Sequence, residues 1–144
     1  MKKKTLKPVV AFDVDCHPDY KWRFAVNIFK NHADYDQYRI QCGLNRPSRA
    51  CCFPVQLWDF KGPDKSKRIS PVIGEMCFYV KDYRVGIVSH ECVHAGLVFM
   101  RKIRKPLSCA TEELYAFAVG EMVRQAVNGY WEFKKQARVN NQSQ

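Results

Sequence analysis

Apolar and polar positions alternate with a period of two through much of the first eighty residues. "PVVAFDVD" (8–15) is β-branched and alternating, and "KWRFAVNIF" (21–29) sets Trp22, Phe24, Val26 and Ile28 on one side. "FPVQLWDF" (53–60) repeats the pattern with Val55 and Leu57, and "EMCFYV" (75–80) is a compact apolar run bounded by Gly74 and Lys81-Asp82. Each predicts a strand, because successive side chains of an extended chain point to opposite faces. "HADYDQYRIQ" reads equally well as a short helix or a strand, and "KGPDKSKRISP" reads as a loop from its Gly, Pro and charge content.

After residue 82 the period changes. Val85, Val88, Cys92, Ala95 and Phe99 recur at spacings of three and four, one stripe of an α-helix, with Asp82 as its expected N-cap. The basic "RKIRK" (101–105) suits the negative end of that helix dipole, and Pro106 closes the segment. Thr111 is the expected cap of a second helix with Glu112 and Glu113 in its first turn, running through "LYAFAVGEMVRQAV" and stopping at Asn128-Gly129. Strands followed by two helices predict one α+β domain over residues 1–144: a small, mainly antiparallel sheet with the helices on one face. Residues 1–7 read as a basic tail and 137–144 as a frayed one.

Composition narrows the class. A chain of 144 residues that is 47% hydrophobic can build one core without staples. Its apolar runs are broken well before the ~20 residues of a membrane span, and the basic start lacks the apolar stretch of a signal peptide. The expectation is a cytoplasmic protein with no membrane contact. Seven cysteines, an odd number with no CxxC pair, argue against both a disulfide framework and a zinc ribbon. A net charge of +10 makes nucleic acid or an acidic protein an expected partner class through long-range attraction.

The chemistry is concentrated in "VGIVSHECVHAGLVFM" (85–100). His90 and His94 stand one helical turn apart, opposite the apolar stripe, which is the reach two imidazoles need to take two positions around a tetrahedral zinc ion. Glu91, about 100° further round, is placed as the general base for a metal-activated water rather than as a ligand. A catalytic zinc wants a third protein ligand. Glu113 is favoured, because it shares a face with Ala116 and Gly120, small residues that would let the second helix press against the first; Glu112 is the alternative. Tyr115, Tyr83 and Tyr130 are candidate donors for an oxyanion.

"HECVHAG" followed by "EELYAFAVG" resembles the gluzincin clan of zinc metallopeptidases, in its minigluzincin and ImmA/IrrE-like form, over roughly residues 75 to 130. The resemblance implies one Zn²⁺ held by His90, His94 and Glu113, with Glu91 as general base. It also implies that "EMCFYV" is the edge strand that pairs with a peptide or protein substrate. The expected function is therefore zinc-dependent peptide-bond hydrolysis. The alternative is a non-catalytic zincin-fold binding protein that uses its basic surface for nucleic acid or an acidic protein.

Overall fold

The computed structural model describes residues 6–54 and 71–142, the side chains of 140–142 excepted. Strands β1 (Val10–Asp15) and β2 (Arg23–Phe29) are followed by helix α1 (His32–Gln41), then β3 (Ala50–Pro54) and β4 (Val72–Tyr79). A single 3-10 turn (Val80–Asp82) leads into helix α2 (Val85–Lys102), and helix α3 (Glu112–Gln142) completes the fold. The class is α+β. The ambiguous 32–41 segment is helical, and most of the expected strand 53–60 and the 61–70 loop lie outside the described residues.

The sheet order is β1-β2-β4-β3. β1 pairs with β2 and β3 with β4 antiparallel, while β2 and β4 run parallel, so the sheet is mixed. α1 is what carries the chain from the end of β2 towards the far edge of the sheet. α2 and α3 cover one face, α2 over β3 and β4 and α3 over β1. Phe24, Val26, Ile28, Met76 and Phe78 meet Val88, Cys92, Phe99 and Met122 in the main core there. α1 covers the opposite face, over a smaller cluster of Leu6, Phe29, Tyr35, Cys51 and Cys77. β4 is therefore buried on both faces, which accounts for its nearly continuous apolar sequence.

Two boundaries and one position of the apolar stripe differ from expectation. Asp82 lies in the 3-10 turn and does not cap α2, whose N-cap is Arg84 in an extended conformation without a side-chain cap. Of the predicted stripe, Val88, Cys92, Ala95 and Phe99 are fully buried, but Val85 in the first turn is exposed. α3 passes straight through Asn128-Gly129 to Gln142. Gly129 is a point of close approach instead of a stop: a Cβ there would lie 2.6 Å from the Phe12 ring of β1. Among the described residues, no helix is long and apolar enough to cross a membrane.

Candidate functional site

α2 turns its apolar stripe to the sheet and its His90–Glu91–His94 edge towards β3. The Nε2 atoms of His90 and His94 are 3.2 Å apart, with the rings inclined at 77°. Two imidazole nitrogens bound to one tetrahedral zinc at about 2.0–2.1 Å must stand about 3.3 Å apart. At 3.2 Å the two rings are hydrogen-bonded to each other, a separation also close to that of two ligands of one ion. Both rings are exposed, whereas Glu91 beside them is 6% exposed. Burial raises the Glu91 carboxyl above its ordinary value, and the neighbouring His90 only partly offsets this.

These side chains form one wall of a cleft. A recess of about 600 Å³ is lined by His90, Glu91 and His94 on one side and by Ala50, Cys51 and Cys52 of β3 and the loop 43–48 on the other. A second recess of about 390 Å³ shares Ser48, Ala50, His90 and Glu91 and adds Arg49, Gly86 and Ile87. The loop wall is tied to α1. The guanidinium of Arg39, only 4% exposed, donates to the carbonyls of Leu44 and Arg46 and is bonded to Asp36 at 3.2 Å. Tyr35 and Ser48 join their hydroxyls at 3.1 Å. Cys52, facing α2, has its thiol pushed up by burial and by the Glu91 charge. None of this wall was legible in the sequence: nothing in "GLNRPSRACC" points to a helix forty residues later.

The third expected ligand is not brought to the pair. Glu112 and Glu113 are both exposed in the first turn of α3. α3 buries Ala118, Met122 and Ala126, and Glu113 lies about 140–180° round the helix from all three. The small residues chosen to mark the packed face mark the outer one, since Ala116 and Gly120 are exposed and a Cβ at Gly120 would touch nothing within 4 Å. The helices meet at Gly96, where a Cβ would come 2.7 Å from Val119 and 2.8 Å from Tyr115. His90 and His94 lie about 120° and 160° round α2 from Gly96, on the side away from α3. Among the described residues, no three His, Cys, Asp or Glu side chains are grouped to hold a metal ion.

The tyrosines are engaged elsewhere. Tyr115 donates to the Val93 carbonyl at 3.1 Å and Tyr83 to the Ala126 carbonyl at 2.8 Å. Tyr130 packs against Tyr83 with ring centroids 4.6 Å apart and the rings tilted at 48°. None of the three lines the cleft. The expected substrate-pairing strand is also corrected: β4 is flanked by β2 and β3, so its backbone is already paired on both sides. The edge beside the histidines is β3, which pairs only with β4 among the described residues.

Compared with known proteins, the chain matches no family model, no curated protein and no solved structure.

Proposed function

We propose that the cleft between α2 and β3 is a metal-assisted hydrolytic site for extended peptide segments. His90 and His94 would hold a zinc ion, and Glu91 would serve as general base towards a water beside it. The observation that carries this reading is the 3.2 Å separation of the two Nε2 atoms beside a buried carboxylate. Zinc at such a position supplies Lewis acidity, polarising a carbonyl and easing loss of a proton from water. Glu91 is suited to the base role because burial holds its proton affinity above that of an exposed carboxylate. The edge of β3 that is unpaired among the described residues offers backbone donors and acceptors for an added strand. Arg46 and Arg49, exposed in the cleft wall, favour segments with acidic side chains. With Glu113 on the outer face of α3, the two imidazoles are the protein groups that would hold the ion.

The test is zinc titration of the purified chain combined with a peptide-library digest. Binding of about one zinc per chain with cleavage is expected, and Glu91→Gln should keep the metal and lose about 10²–10⁴-fold in rate. Undiminished cleavage by Glu91→Gln rejects Glu91 as the base.

A second reading is favoured by the outward orientation of Glu113. The two rings bond to each other without metal, and the protein is a basic binding module for nucleic acid or an acidic protein. Its signature is nucleic-acid affinity that falls steeply with salt and does not change in a His90→Ala, His94→Ala double variant.

A further inference from the structure

Cys51 of β3 and Cys77 of β4 are directly opposite each other in the antiparallel register. Opposed residues share a face of the sheet, and both belong to the cluster beneath α1. The Cα atoms of an opposed antiparallel pair are about 4.5 or 5.5 Å apart, and either distance lies within the span a disulfide bridges. Both cysteines are free thiols, Cys77 fully buried and Cys51 nearly so. Cys51 nevertheless contributes to the lining of the recess that holds His90 and His94. Cys52, the next residue, packs against the main core on the other face, so it does not compete for either partner.

We propose that Cys51 and Cys77 form a redox-active dithiol that a hydroperoxide, entering through the cleft, converts to a cross-strand disulfide. This centre is independent of metal binding or hydrolysis by the histidines.

The surroundings assign the two roles. The Cys51 thiol is held below its ordinary value, first by a hydrogen bond with Cys77 and then by Tyr35 and Arg39, although burial and Glu91 oppose this. The Cys77 thiol is raised by the same hydrogen bond and by burial, and its Sγ lies 3.9 Å from Glu75 Oε2, a proton acceptor. Cys51 lines the cleft while Cys77 is fully buried behind it, so Cys51 is the attacking sulfur and Cys77 the resolving one. The Cys51 thiolate attacks one peroxide oxygen, the O–O bond breaks, and with hydrogen peroxide the leaving hydroxide takes a proton as water. Cys77 sulfur then attacks the sulfenic sulfur, the S–S bond forms, the S–O bond breaks, and the second water leaves with the Cys77 proton. Two thiols lose two electrons and two protons, and the peroxide is reduced to two waters.

The test uses the full chain with the exposed Cys42 and Cys109 changed to Ser, so that only the partly or fully buried thiols report. After equimolar hydrogen peroxide, the titratable thiol count should fall by two, and a non-reducing digest should link the peptides containing residues 51 and 77. Cys77→Ser should accumulate a dimedone adduct on Cys51, and Cys51→Ser should leave Cys77 unlabelled. An unchanged thiol count, or a bridge made to Cys16, Cys52 or Cys92, overturns the proposal. The digest of the chain with both cysteines intact decides the matter even if either Ser variant fails to fold.

Discussion

Tyr115 of α3 donates its hydroxyl to the backbone carbonyl of Val93 across 3.1 Å, and its ring covers Gly96 one turn further along α2. The contact lies on the side of α3 that meets α2. It also separates Glu113 from the histidines, because it leaves that carboxylate outside the interface.

The close approach at Gly96 predicts a steric cost. A methyl there would stand 2.7 Å from Val119 and 2.8 Å from Tyr115, so Gly96→Ala should destabilise the fold by about 1–3 kcal/mol. The gain in helix propensity from Gly to Ala, ~1 kcal/mol, offsets only part of that. Thermal denaturation should show a Tm lower by several degrees; an unchanged or higher Tm would mean the helices are further apart.

Metal affinity should separate the predicted ligands. His90→Ala and His94→Ala should each weaken zinc binding by at least about tenfold. Glu113→Ala should leave it within about twofold, because an exposed carboxylate on the outer face contributes no bond. Isothermal titration measures all three, and a large loss in Glu113→Ala would restore that residue to the site.

Glu91 makes the stability of the metal-free protein depend on pH in a definite direction. Its folded-state carboxyl is raised above the ordinary 4.5 by burial, so the folded protein holds this proton more tightly than the unfolded chain does. The contribution is fully present below pH 4.5 and is lost as pH rises through the folded-state value. With a chelator present, Glu91→Gln should therefore raise the Tm at neutral pH, and the gain should shrink towards acid. A constant difference between the two proteins across that range would remove the assignment.

Arg39 should govern the loop wall of the cleft. Its guanidinium is the donor for the Leu44 and Arg46 carbonyls, so Arg39→Ala leaves those acceptors without it, at a cost of about 1–3 kcal/mol. Hydrogen exchange should accelerate in residues 43–49 more than in β1 or α3. Uniform acceleration across the chain would instead mark Arg39 as a general stability residue.

The local periods along the chain determined the α+β class, strands β1, β2 and β4, and the two long helices, since alternation and helical recurrence are properties of neighbouring residues. They determined equally that His90 and His94 share a helix face, because a one-turn spacing requires it. What lay beyond local pattern was decided by assembly. Gly129 reads as a helix stop and Gly120 as a packing residue, yet Gly129 receives the Phe12 ring and Gly120 faces open space. The small residues beside Glu113 looked like a packing face, but burial of the larger Met122 with Ala118 and Ala126 set the rotation of α3 the other way. The edge strand changed from β4 to β3 because strand order depends on which chain segments pair across the sheet. The register that sets Cys51 against Cys77 has the same origin: it joins residues far apart in sequence, and only packing of the whole core selects it.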